Sequence, residues 1–329
     1  MNSSLSVIVP CFNEEEVISE SYHRLKKVLQ ELPLVSQIIF VNDGSIDGTE
    51  KILSEIAQAD KTVKVISFSR NFGHQNAVTA GLNHCLSDLA VVIDADLQDP
   101  PELIPAMIET LEKNNAQVVY CVRKHRKGEG FFKKISAKLF YRFLNFFSEV
   151  RLPVDTGDFR LVDKNVIREF NKLHEKGKYI RGLIVWLGFK QVPFYYEREP
   201  RFAGETKYPF SKMMKLATTS LLYFSKKPLK IATYLGFFTV IIALLLALWA
   251  IFGKFFGFTN ADPGWTSLMV AVVFFGGVQL LTVGILGAYI GNLFDEIKDR
   301  PEYVIKDMMN FETGNSTQIA DEQTGLQNG

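Results

Sequence analysis

The sequence predicts an α/β fold, a Rossmann-like, mostly parallel sheet with helices on both faces, joined to helices that lie on or cross a membrane. Three observations carry that expectation. Short apolar runs alternate with amphipathic stretches over residues 5–123, phenylalanines then mix with basic residues in two segments, and two long uncharged runs follow residue 230.

Taken in order, residues 5–10, 37–41, 63–68, 89–93 and 117–122 are rich in Val, Ile and Phe. Continuous apolar runs of this length read as strands covered on both faces. Helical patterns lie between them at 14–32, 48–57, 75–85 and 101–111. The last begins Asp99-Pro100-Pro101-Glu102, where an acidic residue can cap and proline suits the first turn. Alternating strand and helix implies a doubly wound sheet, whose ligands sit beyond the carboxyl ends of the strands. Cys11, Cys85 and Cys121 lack metal-ligand spacing and read as reduced core thiols. The opening MNSSLSVIVPCF has no basic region and too short an apolar run for a signal peptide, so the first domain, 1–209, is expected to stay in the cytoplasm. With 37 Lys and Arg against 36 Asp and Glu, the chain lacks the net basic field of a nucleic-acid binder, and no nucleic-acid partner is expected.

Within 131–149, Phe132, Ile135, Leu139, Phe143 and Phe146 share one helical face flanked by Lys133, Lys134, Lys138 and Arg142. Such a helix suits the membrane interface, its cations reaching toward phosphates. Residues 210–228 repeat the mixture. Residues 231–252 contain no charge across 22 positions, and the run from 265 is uncharged to 294. Each exceeds the ~20 residues that cross a hydrocarbon core, so 229–294 is expected to form a two-helix transmembrane hairpin with spans at 231–252 and 265–291. Lys226, Lys227 and Lys230 precede it, Lys298 and Arg300 follow it, and the connecting loop has Lys254 alone. The positive-inside rule then puts both termini in the cytoplasm, at the plasma membrane. Gly284, Gly287 and Gly291 permit close helix packing, within the hairpin or between copies in a homo-oligomer. Residues 295–329 form a cytoplasmic tail, with 310–329 polar and aperiodic, as a disordered end would be.

The sharpest chemical signal is VVIDADLQD, which sets Asp94 and Asp96 two apart at a strand end. Alternate residues of extended backbone face one way, so both carboxylates can address one hard cation, Mg²⁺ or Mn²⁺. Two further strand ends meet the same edge, VPCFNEE and FVNDGSIDGT. There Asp43 can accept from a base or ribose, Gly44 admits a close backbone, and Asp47 can cap the next helix.

The series VPCFNEEE, VNDGSIDGT, RNFGHQNAVTAGL and DADLQDPPE resembles the motifs of inverting family 2 glycosyltransferases with the GT-A fold, over about residues 5–210. With the two C-terminal spans, the chain is similar to the branch that transfers sugars to polyprenyl phosphate, which includes bactoprenol glucosyltransferases and dolichol-phosphate mannosyltransferases. The resemblance implies that Pro10, Phe12, Glu14 and Asp43 hold the nucleoside. It implies that Asp94, Ala95, Asp96 and Gln98 meet the nucleotide sugar, with Asp94, Asp96 and Gln98 around the metal. DTGDFR resembles the acceptor-side motif, which makes Asp155 and Asp158 orienting or weak-base candidates. RFAGETKY resembles a loop that closes over the diphosphate, where Arg201 and Lys207 would neutralise charge.

The acceptor phosphate ionises a second time near pH ~6, so it is largely anionic already and needs little help from a base. Arg123, Arg126, Lys133, Lys134 and Lys138, with Lys124 among them, would draw that headgroup in. The activity implied is metal-dependent, inverting transfer of a hexose from a nucleotide diphosphate, UDP-glucose first and GDP-mannose second. Two rivals compete. A polysaccharide synthase usually carries Gln-x-x-Arg-Trp, which is absent around Trp186; a non-catalytic nucleotide-sensing scaffold would not need both the acidic pair and the basic loop.

Overall fold

The computed structural model describes residues 4–123, 156–197, 227–256 and 264–311. The interfacial helix expected at 131–149, nearly all of the one expected at 210–228, the loop holding Arg201 and Lys207, and Asp155, Arg126, Lys133, Lys134 and Lys138 lie outside the described residues. The chain divides into two compact units.

The first unit holds an eight-stranded sheet. Its N-terminal part runs β1 (Ser4–Cys11), α1 (Ile18–Gln30), β2 (Val35–Asn42), α2 (Thr49–Ala59), β3 (Val63–Phe68), α3 (His74–Asn83) and β4 (Leu89–Val92). A 3-10 turn (Pro101–Leu103) leads into α4 (Ile104–Lys113), then β5 (Val118–Arg123). After residue 155 come β6 (Thr156–Asp163), α5 (Lys164–Asn171), α6 (Ile180–Trp186), β7 (Gln191–Tyr196) and, much later, β8 (Ile305–Met309). The spatial order is β7-β5-β6-β4-β1-β2-β3-β8. Pairs β1–β2, β1–β4, β2–β3 and β5–β7 are parallel, whereas β6 runs antiparallel to both β4 and β5, and β8 antiparallel to β3. The five strands and four helices expected before residue 124 all form, with ends moved by a few residues.

Burial on both faces explains the continuous apolar runs. Leu5, Val7 and Val9 of β1 join one core with Ile18 and Leu25 of α1, Leu53 of α2 and Met107 of α4. Ile8 points the other way, toward α3, where a Cβ on Gly81 would stand 2.3 Å from its Cγ2. Glycine at that position lets helix and sheet approach. The buried residues of α1, Ile18, Ser21, Leu25, Val28 and Leu29, follow the three-and-four spacing of one helical face. All three cysteines are buried and free.

Two expectations need correcting. Asp99 caps nothing. It is fully buried and accepts a hydrogen bond from the Tyr196 hydroxyl, while Pro101 and Glu102 occupy the first turn. The tail is not all tail: β8 closes the β3 edge, and Asn310 Nδ2 donates to Ala57 O (2.6 Å) and Val63 O (2.8 Å). Its left-handed φ of 61° is one that Asn tolerates. Residues 312–329 lie outside the described part.

The second unit contains α7 (Lys227–Phe255) and α8 (Trp265–Ile297), which pack on each other. Many large apolar side chains face outward, among them Tyr234, Phe237, Leu280 and Ile290. Among the described residues, one stretch, Phe274–Ile297, is long and apolar enough to cross a membrane, and Leu229–Ile242 is a shorter apolar stretch. Beyond the adjoining turns of their own helix, no described residue has an atom within 4 Å of where a Cβ would stand on Gly284, Gly287 or Gly291, so close packing at these glycines is not made with any described residue.

Candidate active site

Sheet register gathers the acidic residues. Ile8 of β1 pairs with Val92 of β4, and Val92 pairs with Arg160 of β6. Two residues beyond Ile8 lies Pro10, and two beyond Val92 lies Asp94. Because β6 is antiparallel, Asp158 stands two residues before Arg160 at the same level. Pro10, Asp94 and Asp158 therefore meet at the carboxyl edge of β1 and β4.

The β1–α1 and β2–α2 loops are laced together beside them. Asn13 N donates to Ser45 Oγ (3.0 Å), Ile46 N to Asn13 Oδ1 (2.9 Å), and Glu14 N to Thr49 Oγ1 (2.9 Å). Asp47 accepts from Thr49 N at the start of α2 (3.0 Å), as a capping residue should. Gly44 has φ +65°, and a Cβ there would lie 2.3 Å from the backbone carbon of Arg70, so both conformation and space require glycine. Pro10 is buried, while Phe12 and Glu14 are half-buried. Asp43 accepts from Phe72 N (2.7 Å) and Gly73 N (2.9 Å), which turns the chain into α3. Burial raises the Asp43 carboxyl above its usual range, and the two amides offset only part of that rise.

The acidic pair follows β4. Asp96 Oδ1 accepts from Gln98 N (3.1 Å) across Leu97, which is held at a left-handed φ of 56°. A leucine in that region is strained, and its burial among core residues holds it there. Ala95, between the two in sequence, is buried. Burial first, then the charges of Asp158, Asp96 and Asp99, push the Asp94 carboxyl up to about 6 against the opposing pull of His74. Such an accumulation of carboxylates at a half-buried edge suits a cation. Among the described residues no three His, Cys, Asp or Glu side chains form a metal-holding group. Asp94 and Asp96 would thus give two carboxylates, a number fitting Mg²⁺ or Mn²⁺ completed by phosphate oxygens and water.

Three side chains without an assigned role in the sequence reading complete the centre. His74, the first residue of α3, places Nε2 3.1 Å from Asp158 Oδ2 and 3.7 Å from Asp94 Oδ1. Burial opposes its charge, yet Asp158 and Asp94 prevail and raise it to about 9. Arg181 of α6 donates from Nε to Asp158 Oδ1 (2.7 Å) and from Nη2 to Oδ2 (3.1 Å), and its Nη1 reaches Thr156 O (2.8 Å). Buried Arg160 adds a third cation, its Nη2 3.9 Å from Asp158 Oδ1. Burial would raise the Asp158 carboxyl, but Arg181 and His74 outweigh it and hold it well below the usual range. Arg123, at the end of β5, donates to the Tyr196 hydroxyl (3.3 Å), and a Cβ on Gly157 would stand 2.9 Å from its Nη2.

The motif RNFGHQN contained His74 in plain view; nothing in the sequence marked Arg181, because α6 lies far along the chain and its helix carries no motif. What the centre offers is an ionised, immobilised carboxylate (Asp158) beside a second acidic group (Asp94), with a histidine between them. That arrangement orients and neutralises charge rather than supplying a nucleophile.

The comparisons agree with this geometry. Residues 6–170 match the family model "Glycosyl transferase family 2". An uncharacterised glycosyltransferase of Bacillus subtilis, YkcC, is 48% identical over 301 residues, covering 92% of this chain and 93% of the relative. The bactoprenol glucosyl transferase of Shigella phage SfII is 38% identical over 302 residues, covering 92% and 97%. A prophage bactoprenol glucosyl transferase homolog of Escherichia coli K12 is also 38% identical over 302 residues, covering 92% and 98%. The mostly parallel sheet, the acidic pair at its carboxyl edge and relatives matched over nearly their whole length lead to one conclusion: the chain belongs to glycosyl transferase family 2, with an α/β fold of the GT-A type.

Proposed function

We propose that the chain transfers a hexose, glucose from UDP-glucose, to polyprenyl phosphate at the cytoplasmic face of the plasma membrane, inverting the anomeric centre. The observation that carries this reading is the level placement of Asp94 and Asp158, donor side and acceptor side, bridged by His74. The acceptor and sugar are supported by relatives named for bactoprenol glucosyl transfer at 38% identity.

In this reading Pro10, Phe12, Glu14 and Asp43 hold the nucleoside. Asp94, Asp96 and Gln98 would hold Mg²⁺ or Mn²⁺, which neutralises the charge that develops on the departing diphosphate. Arg201 and Lys207 close over the same diphosphate. Asp158, clamped by Arg181, is too weak a base to take a proton near neutrality; it orients His74 instead. An acceptor phosphate that is already anionic needs no stronger base, and Asp155 serves orientation too. Arg123, Arg126, Lys133, Lys134 and Lys138 draw the lipid headgroup in. α7 and α8 supply two spans, on the 22 uncharged residues 231–252 and on Phe274–Ile297, which among the described residues is long and apolar enough to cross. Lys226, Lys227, Lys230, Lys298 and Arg300 favour a cytoplasmic placement of their outer ends.

The test uses purified full-length protein, radiolabelled UDP-glucose and polyprenyl phosphate with Mn²⁺ or Mg²⁺. Label should pass into the organic phase as a lipid-linked monosaccharide. Labelled GDP-mannose in a parallel reaction separates the sugar question from the acceptor question. Nucleotide binding without any lipid-linked product from either donor would overturn the proposal in favour of a non-catalytic scaffold.

A further inference from the structure

We propose that Glu302 is a positioning residue for the transfer reaction, fixing through Lys178 and Asn76 the two segments that bring Arg181 and His74 to Asp158. The inference rests on the glycosyl-transfer reading of this edge. Lys178 Nζ lies 2.6 Å from Glu302 Oε2, with side-chain exposures of only 7% and 11%. A pair so withdrawn from water gains little net stability, because desolvation offsets most of its attraction. What it does fix is place, and both of its neighbourhoods lead to the site.

On one side, the Glu302 carbonyl accepts from Asn76 Nδ2 (3.0 Å), and the same amide donates to Phe72 O (2.9 Å). That closes the turn in which Asp43 holds Phe72 and Gly73 and from which His74 projects. On the other side, Lys178 lies two residues before Ile180, whose N–H donates to Gln75 Oε1 (3.0 Å), and Arg181 follows directly. Glu302 is thus joined to the start of α3 and to the start of α6 at once. Its neighbours extend the seam. Tyr303 stacks on Phe68 with centroids 4.9 Å apart and accepts at its hydroxyl from Asn83 (3.0 Å), and Ser69 N donates to Val304 O (3.0 Å).

These residues begin five positions after Ile297, the last residue of α8. The centre formed by His74, Arg181 and Asp158 is therefore braced by chain that lies beyond the apolar helices in sequence. A plain fastener at this place would affect stability alone; a positioning residue affects turnover at temperatures where the fold is intact.

The experiment uses the full chain in detergent with UDP-glucose and polyprenyl phosphate. Glu302→Gln should lower kcat about 10- to 100-fold, the loss expected when catalytic groups shift by roughly an ångström, with KM for the nucleotide sugar unchanged. Lys178→Met should reproduce that split. Glu302→Asp keeps the charge and the fold and should recover part of kcat, which keeps the inference testable if Glu302→Gln folds poorly. Lys306→Ala breaks the exposed ion pair with Glu50 on the same downstream chain and should leave kcat as it was. A kcat within about twofold of the unsubstituted protein in Glu302→Asp and Lys178→Met, accompanied only by a lower Tm, would overturn the inference. An unsubstituted protein that forms no lipid-linked sugar would instead refute the underlying functional reading, a result visible before any variant is made.

Discussion

Arg181 grips Asp158 with two nitrogens, Nε to Oδ1 at 2.7 Å and Nη2 to Oδ2 at 3.1 Å. A planar fork of this kind cannot be replaced by a single ammonium. Arg181→Lys should therefore lower kcat by about 10- to 100-fold, matching the ~1.5–3 kcal/mol carried by hydrogen bonds to charged groups. The loss should largely disappear when Arg181→Lys is made on top of Asp158→Asn, because the partner it addressed is gone. Equal losses in both backgrounds would show that Arg181 acts elsewhere.

Removal of divalent ions probes the acidic pair. Chelation should abolish transfer, and either Mn²⁺ or Mg²⁺ should restore it. Asp96→Ala should cost at least about 100-fold in kcat even with metal present, the scale seen when a group stabilising developing negative charge is lost. Binding of the free nucleotide, followed by titration calorimetry, should lose its dependence on the ion in that variant. Near-normal transfer by Asp96→Ala would refute the assignment.

Much of this centre was legible in the sequence, and the reason is geometric. The acidic pair, the Asp43 loop and the Gly44 turn all lie at ends of parallel strands, where short-range pattern fixes both the element and its exit. The nearness of Asp94 and Asp158 was not legible, because it depends on β6 inserting antiparallel between β4 and β5. Short motifs carry no information on such pairing. β8 escaped notice for a related reason. Its sequence IKDMM is mixed and short, and only the facing edge of β3 makes it a strand. His74 and Arg181 are single polar residues whose meaning comes wholly from the carboxylates around them.

Gly44→Ala tests the backbone itself. The left-handed conformation costs an alanine about 1–2 kcal/mol, and the Cβ would also meet the Arg70 backbone, which cannot rotate away. A loss of at least ~2 kcal/mol is expected, lowering Tm by several degrees in a thermal melt of the purified protein. An unchanged melt would mean that the β2–α2 turn relaxes without consequence.

Acid stability should depend on Asp60, away from the site. Burial alone would raise its carboxyl, but Lys26 at 2.6 Å, Thr62 and Tyr22 hold it well below the usual range. A depressed carboxyl contributes stability above its unfolded value near ~3.9 and loses it as the pH falls toward the folded value. Asp60→Asn should thus be less stable than the parent by about 1 kcal/mol at neutral pH, with the gap closing below pH ~4. Denaturant melts at the two pH values measure it, and a gap that persists in acid would point to packing instead of charge.

The number of membrane crossings follows from one chemical labelling experiment. α7 carries no charge from 231 to 252, and among the described residues Phe274–Ile297 of α8 is long and apolar enough to cross, with Leu229–Ile242 of α7 a shorter apolar stretch. If both helices cross, residues 257–263 between them face the outside, since burying 22 uncharged residues in hydrocarbon outweighs the cost of moving one short loop with few charges. All three native cysteines are buried, so a cysteine introduced as Thr259→Cys supplies the reactive thiol. In intact cells a membrane-impermeant maleimide should label Thr259→Cys, while Lys306→Cys, beyond α8, should react only after permeabilisation. Protection of Thr259→Cys in intact cells would mean that neither helix crosses, because β8 follows α8 and pairs with β3, which keeps the two ends of the helical pair on one side of the membrane.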